Sequence, residues 1–172
     1  MSDYRLRRLF KADGTWDAFR GNWNQQYANV DDNADEYASE ALKIVEEFAG
    51  DSKPNVWAYA VCDGETFLAA FMLNRAQLPE TTGWTLRVRH VVVSPNLDFG
   101  IVDQGVYADV LVALLAGVVQ LSESSHRAEH VKFHLRSPHD MAFFHALGSS
   151  LDKQSVFSSV QKHGAWLSIT KR

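Results

Sequence analysis

The sequence predicts an α/β fold in which a mixed, largely antiparallel central sheet has helices on both faces. Its 172 residues are 46% hydrophobic and 22% charged, which is enough for one domain with a core. Apolar residues recur with strand and helix periods in the order β-α-α-β-β-β-α-β-α-β-β. Tight turns join the early strands and helices separate the later ones, so both antiparallel and parallel pairs are expected. We therefore expect a single domain over residues 1–172.

The N-terminal region is predicted to contain a strand and then an apolar helix. Tyr4–Phe10 alternates weakly between apolar and polar residues, which is typical of a strand. Asp13 or Thr15 is a suitable N-cap for the helix that follows. The aromatic residues of this helix share one face, as their spacing of three, four and four shows: Trp16, Phe19, Trp23 and Tyr27.

A second helix and a hairpin come next. Asn33 is the expected N-cap of this helix and Gly50 its end. Its predicted apolar face consists of Tyr37, Ala41, Ile44, Val45 and Phe48. The two apolar runs Asn55–Cys62 and Glu65–Leu73 are separated by Asp63-Gly64, which is a strong hairpin signal.

The second half of the chain alternates strands and helices. The predicted elements are a strand over Leu86–Val93, a helix over Val106–Leu121, a strand over residues 130–135, a helix over Pro138–Leu147, and a hairpin of Val156–Gln161 with Ala165–Thr170. Ser94-Pro95 ends the first strand, and Gly148 is expected to stop the second helix.

Composition excludes several classes of function. A net charge of −4 and a pI near 5.9 argue against nucleic-acid binding. We expect no membrane span, because no apolar run approaches about 20 residues, and no signal peptide, because the N-terminus lacks an apolar core. The single cysteine, Cys62, is expected to be a buried thiol. The chain is thus expected to be cytoplasmic.

The most informative segment is residues 86–121. A strand passes through Ser94-Pro95 and a loop containing Gly105 into the apolar helix that starts near Val106. Such a connection points backbone N–H groups at the space above the helix start, where the helix dipole also favours an anion. The segment therefore predicts an anion site, suitable for a cofactor pyrophosphate.

From Tyr4 to Thr170 the element order resembles that of the GNAT superfamily of N-acetyltransferases. Val91-Val92-Val93-Ser94-Pro95 is similar to the family's strand and turn, which hold the thioester arm of acetyl-CoA. The stretch from Gln104 to Asp109 falls where the family's pyrophosphate loop would be. Phe143 to Gly148 is similar to the family's sequence motif whose tyrosine protonates the departing thiolate. The resemblance implies a GNAT-like fold with acetyl-CoA as co-substrate.

The resemblance also implies cofactor-binding residues, namely Val91, Val93, Gln104, Gly105, Val106, Tyr107 and Ala108. The sequence departs from the family pattern at Tyr107 and Asp109, which replace glycines, and at Phe144, which replaces the tyrosine. A side chain at a glycine position restricts the approach of a phosphate. Phe144 has no proton to give, and loss of one acid–base group costs about 10² to 10⁴ in rate.

His90 is the candidate proton acceptor, with the backbone N–H groups of residues 91–93 as donors to the oxyanion. Strand alternation would place His90 on the face of Val88 and Val92, opposite Arg87 and Arg89. The alternative is a histidine at the surface or the edge of the core.

Further groups of polar residues are candidate sites. The acidic residues Asp31 and Asp32 lie between the first two helices, where they would favour a cationic, amine-bearing acceptor; a solvated loop is the alternative. His126, His130 and His134 recur every four residues, but on a strand the last two are about 13 Å apart, so no metal site is expected. Ser137-Pro138-His139-Asp140 is not expected to form a triad, since adjacent residues rarely converge in that way.

The sequence leaves three functions open. The first is an acyltransferase that moves an acetyl or other acyl group from CoA to an amine on a small molecule or a protein. The second is a GNAT-like fold with a degenerate cofactor loop that serves as a non-catalytic binding or assembly module. The third is an enzyme of the same fold with another donor, as in the acyl-homoserine-lactone synthases. A homodimer is compatible with the sequence, but nothing specifies one.

Overall fold

The structure is a computed structural model that describes residues 3–30, 38–50, 53–135, 137–152 and 157–172, and the statements below concern these residues. The strands are β1 (Tyr4–Leu9), β2 (Val56–Asp63), β3 (Thr66–Gln77), β4 (Trp84–Val93), β5 (His130–His134), β6 (Phe157–His163) and β7 (Trp166–Lys171). The helices are α1 (Thr15–Val30), α2 (Ser39–Gly50), α3 (Pro95–Asp98), α4 (Gln104–Glu123) and α5 (Pro138–Asp152). The predicted order of elements is confirmed, with two additions: α3 and a short 3-10 helix at Lys11–Asp13 before α1.

The seven strands form one sheet in the order β1-β2-β3-β4-β5-β7-β6. The pair β4–β5 is parallel, whereas β1–β2, β5–β7 and β6–β7 are antiparallel. The fold class is therefore the mixed, largely antiparallel α/β sheet that the sequence predicts. Gly64 lies in the predicted hairpin turn with φ +57°, a conformation that glycine adopts without strain.

The chain divides into two compact units, which are described separately. The first consists of Met1–Met72 and His90–Gly117, and the second of Leu73–Arg89 and Val118–Arg172. The single domain expected from the sequence stays a prediction.

In the first unit, helices pack on both faces of the sheet. One face carries a core of α1 and α2 side chains against β1 and β2, including Trp23, Val45, Ala60 and Cys62. The other face carries α4, where a Cβ on Gly117 would lie 2.5 Å from Leu6 Cγ. The four aromatic residues predicted to share a face of α1 are all buried.

The remaining predictions for the first unit have mixed outcomes. Cys62 is a buried free thiol, as predicted, and burial raises the pKa of this thiol to about 11. The predicted face of α2 is confirmed at Val45, which is buried, and at Ala41 and Phe48, which are partly buried and pack against the core. The prediction missed the buried residues Leu42 and Ala49. Asn33, Tyr37 and the acidic residues 31, 32, 35 and 36 lie outside the described residues.

In the second unit, α5 packs against β5 and β7. Phe144 stacks on Phe133 with ring centroids 5.7 Å apart, and Phe133 is paired with Leu167. Gly148 does not stop α5 as predicted. Instead, a Cβ there would lie 3.0 Å from Leu167 Cδ1, so glycine permits close packing inside the helix.

Helix α4 is the most apolar element. With 20 residues and a mean hydropathy of 1.8, it is long and apolar enough to cross a membrane. No apolar run of this length was expected from the sequence. Four of its side chains are fully buried (Val110, Leu111, Leu114 and Val118), and 33% of its apolar window is buried in all.

Candidate functional site

The end of β4 departs from regular strand geometry at His90. This residue has φ +55°, in the left-handed region that non-glycine residues seldom occupy. Beyond it, Val92 and Val93 are both buried, so strict alternation fails. The prediction that His90 shares a face with Val88 and Val92 is therefore wrong, because a left-handed residue breaks the two-residue period of the side chains. His90 itself is half-buried.

The hydrogen bonding of Ser94 fixes the direction of the last amides of β4. Ser94 N donates to Leu68 O of β3 at 2.8 Å. Since successive N–H groups of an extended strand point to opposite edges, the amides of Val93 and Val91 point away from β3. These are the two strand residues implied by the GNAT resemblance as contacts for the thioester arm.

The predicted loop after Pro95 contains α3, which starts with Ser94 as N-cap and proline in its first turn. The N–H groups of Leu97 and Asp98 donate to Ser94 O, and those of Ile101 and Val102 donate to Asn96 O. Asn96 N donates to Gln26 Oε1 of α1 at 3.4 Å. The amides of this connection are thus used internally, and the anion-binding amides must come from the start of α4.

Asp103 caps the start of α4, and the sequence reasoning missed it. Gly105 N donates to Asp103 Oδ1 at 2.6 Å, and Val106 N donates to Asp103 O at 3.0 Å. An aspartate directly before the first helical residue is a strong N-cap signal that could have identified it. The amides predicted to hold a pyrophosphate are therefore partly occupied by the protein's own carboxylate.

The charges around this helix start are also unfavourable to an anion. Between Arg89 and Arg127 the sequence contains no lysine or arginine, and three carboxylates precede or lie in the first turns of α4: Asp98, Asp103 and Asp109. The side chains of Asp98, Asp103 and Asp109 are exposed. An anion at the start of α4 would consequently rely on backbone N–H groups and the helix dipole.

The predicted cofactor residues all lie on one strand–helix connection, residues 91–108. Gln104 and Gly105 are exposed, whereas Val106, Tyr107 and Ala108 are half-buried on the first turns of α4. Their role in holding a cofactor stays a prediction.

Phe144 is a core residue of the second unit. It is 2% exposed and packs between Phe133 and Phe143, with ring centroids 5.7 Å from each. A hydroxyl at this position would be buried among aromatic rings. The position that resembles the family's tyrosine therefore serves packing in this chain.

The histidines have structural partners or are exposed. His130 Nε2 lies 2.8 Å from Thr82 O, and its Nδ1 lies 3.0 Å from Thr170 Oγ1. His139 and His145 are exposed on α5. Among the described residues, no group of three or more His, Cys, Asp and Glu side chains could hold a metal ion.

A cavity of about 490 Å³ lies in the second unit near the end of α4. Lys171 Nζ, in its wall, donates to Ser122 O at 2.9 Å. Glu129, also in the wall, accepts from Trp84 N, which holds the pKa of this carboxyl below its usual value. Lys171 and Glu129 are thus engaged in hydrogen bonds, and none of the predicted site residues lines the cavity.

No protein-family model and no curated protein matches the chain, but solved structures share its fold. A probable acetyltransferase from Staphylococcus epidermidis ATCC 12228 is 12% identical, with a TM-score of 0.55 over 97% of this chain and 98% of that one. An N-acetyltransferase from Staphylococcus aureus Mu50 is 12% identical, with a TM-score of 0.51 over 97% of each chain.

The same fold also occurs in a protein with a different description. A transcriptional regulator from Bacillus halodurans C-125 is 12% identical, with a TM-score of 0.50 over 94% of this chain and 99% of that one. At this level of identity the similarity concerns the fold, and function must be argued from the site. The chain therefore has the fold of the GNAT N-acetyltransferases, as the sequence resemblance predicts.

Proposed function

We propose that the protein transfers an acyl group, such as acetyl, from CoA to an amine on a small molecule or a protein. The observation that carries the proposal is the hydrogen bond from Ser94 N to Leu68 O, because strand alternation from it points the Val91 amide away from β3 at the end of β4. An amide in this position can pair with the thioester arm and donate to the oxyanion. Two of the three similar structures described above are a probable acetyltransferase and an N-acetyltransferase, which supports this assignment.

The proposed reaction needs few side chains. The lone pair of a neutral amine attacks the thioester carbonyl, and the tetrahedral oxyanion accepts a hydrogen bond from a backbone N–H of the strand. The C–S bond then breaks to release the CoA thiolate. His90 or water takes the amine proton. Because Phe144 is a buried hydrocarbon, water protonates the thiolate, which is a tolerable leaving group.

Donor binding has a structural cost in this account. The diphosphate of CoA must displace the Asp103 carboxylate from Gly105 N, and loss of an N-cap typically costs about 1 kcal/mol. Asp109 adds a second negative charge in the same turns. We therefore expect the protein to bind acetyl-CoA more weakly than a loop with glycines at positions 107 and 109 would.

The test is a thermal-shift titration with acetyl-CoA, using ATP as a control for binding of phosphates in general. At about one hundred times Kd the stabilisation is about 2.7 kcal/mol, which raises Tm by about 5–11 °C for a chain of this size. A shift with acetyl-CoA that ATP does not reproduce supports the proposal. The absence of a shift at millimolar acetyl-CoA contradicts it.

A second candidate is a non-catalytic binding or assembly module on the same fold. The Asp103 cap, together with the absence of lysine and arginine between residues 89 and 127, favours it. This candidate predicts that acetyl-CoA does not bind even after the Asp103 charge is removed. The affinity of acetyl-CoA for the native chain and for Asp103→Asn thus distinguishes the two functions.

A further inference from the structure

Three cationic side chains lie on one face of the sheet in the second unit. Arg87 is directly paired with Lys132 in the parallel register of β4 and β5, so their Cα atoms lie on strands about 4.8 Å apart. Arg89 lies two residues further along β4, on the same face. The opposite face carries Leu86 and Val88, which are fully buried. We call Arg87, Arg89 and Lys132 the basic face.

The two arginines of this basic face have no counter-charge in the described part of the chain. No carboxylate there forms an ion pair or hydrogen bond with either guanidinium, and the Nε atoms of both are buried without a hydrogen-bond partner. The pKa of Arg87 is lowered from its usual value, first by burial and then by the neighbouring charge of Arg89. Both side chains are half-buried, so water satisfies them only in part.

Three cationic side chains elsewhere in the molecule have partners. In the first unit Arg7 pairs with Glu65 at 3.4 Å, and Lys11 pairs with Glu46 at 2.9 Å. In the second unit Arg75 stacks over Trp84 at 4.3 Å and donates to Arg127 O. Arg7 and Arg75 are half-buried and have partners, whereas Arg87 and Arg89 are half-buried and have none among the described residues.

The charge is also unevenly divided along the sequence. The residues of the second unit include ten Lys and Arg against five Asp and Glu, whereas those of the first include seven against sixteen. The net charge of −4 conceals this asymmetry. An anion is therefore attracted to the second unit over a longer range than direct contact.

The neighbours of the basic face extend it with further polar and aromatic groups. Ser168 of β7 is paired with Lys132, so its hydroxyl lies on the same face. The ring of Trp166 lies 4.6 Å from that of His134, two residues along β5 from Lys132. Like charges on adjacent sheet positions destabilise a fold, and a bound anion would remove this cost.

We propose that the basic face formed by Arg87, Arg89 and Lys132 binds a small ligand through its phosphate or carboxylate group. Each guanidinium presents a planar fork of N–H donors, which matches the paired oxygens of these groups. Lys132 adds a third charge without a fixed geometry. The inference does not depend on acyl transfer.

The test compares the thermal stability of the protein in sodium phosphate and in sodium chloride of equal ionic strength. The basic face predicts a rise in Tm with millimolar phosphate beyond that in chloride, because screening alone acts equally in both salts. Succinate in place of phosphate distinguishes a carboxylate ligand from a phosphate ligand. If phosphate and succinate both behave as chloride does, the proposal fails.

Variants assign the effect to these residues. The change Arg87→Gln with Arg89→Gln should lower the affinity for the effective anion at least about tenfold, since charge-assisted hydrogen bonds are lost. Lys132→Gln alone provides a second variant if the double one does not fold. The matched control is Arg5→Gln with Arg8→Gln, which removes two exposed arginines from β1 and should leave the response unchanged. An equal response in all three variants would overturn the assignment.

A single-stranded oligonucleotide serves as the last probe. A small-ligand site predicts binding no tighter than that of free phosphate. Tight binding whose logarithm falls steeply with the logarithm of salt concentration would instead indicate several phosphate contacts. That result would contradict the proposal in favour of a nucleic-acid surface.

Discussion

The start of α4 and the basic face of β4 and β5 differ in how their positively polarised groups are satisfied. At α4 the unpaired groups are backbone N–H donors, and the protein satisfies them itself through the carboxylate of Asp103. On the basic face the unpaired groups are the guanidiniums of Arg87 and Arg89, and no carboxylate of the described residues satisfies them. The carboxylate of Asp103 thus occupies part of the helix start, whereas Arg87 and Arg89 have no partner in the part of the chain that the structure describes.

This difference shows that resemblance to a fold family and the ability to bind an anion are separate properties. The connection from β4 to α4 has the family's order of strand, proline turn and helix, yet it carries only negative side-chain charges. The basic face has no counterpart in the motifs that the resemblance identifies. Anion binding therefore has to be measured separately at each region, with substitutions confined to that region.

The largest effect is expected when the basic face is given an internal carboxylate. Arg89→Glu should reduce the affinity for the effective oxyanion about a hundredfold, because it replaces an attractive contact with a repulsive one. It should also raise the free energy of unfolding by up to about 0.5 kcal/mol, because Arg87 gains a partner. Thermal shift and urea unfolding measure the two effects, with Arg8→Glu on β1 as the control. Unchanged oxyanion affinity would remove the distinction between the two regions.

A smaller effect is expected when the start of α4 is opened. Tyr107→Gly with Asp109→Gly should raise the affinity for acetyl-CoA about tenfold, because a side chain and a negative charge are removed from the path of the diphosphate. Two glycines in the helix should cost about 2 kcal/mol of stability. Isothermal titration gives the affinity, and Gln120→Gly on the same helix controls for loss of helix propensity. Weaker acetyl-CoA binding in the double variant would show that Tyr107 or Asp109 contributes to the site.

Much of the fold could be predicted because it depends on local signals. The Asp63-Gly64 turn, the aromatic face of α1 and the alternation of β5 each lie within a few residues, and each was found. Helix α3 was missed because it is a single turn hidden in an apparent loop. Gly148 was read as a helix end, whereas its role depends on Leu167, a residue distant in sequence.

The site was less predictable, since its properties depend on geometry and on long-range charge. The left-handed conformation of His90 breaks the alternation on which the predicted face was based. Asp103 has a local signal and could have been found. The unpaired state of Arg87 and Arg89 could not, because it requires knowing which carboxylates come near them in the folded chain.

The most direct test of the account is the affinity of acetyl-CoA for the native chain and for Asp103→Asn. Asparagine caps a helix about as well as aspartate, so this change removes the charge while it preserves the N-cap. If the protein is an acyltransferase, the native chain binds acetyl-CoA and the variant binds it about five- to tenfold more tightly, since one repulsive charge beside the diphosphate is gone. If neither protein binds acetyl-CoA, the acyltransferase proposal is contradicted and the start of α4 is a closed helix cap.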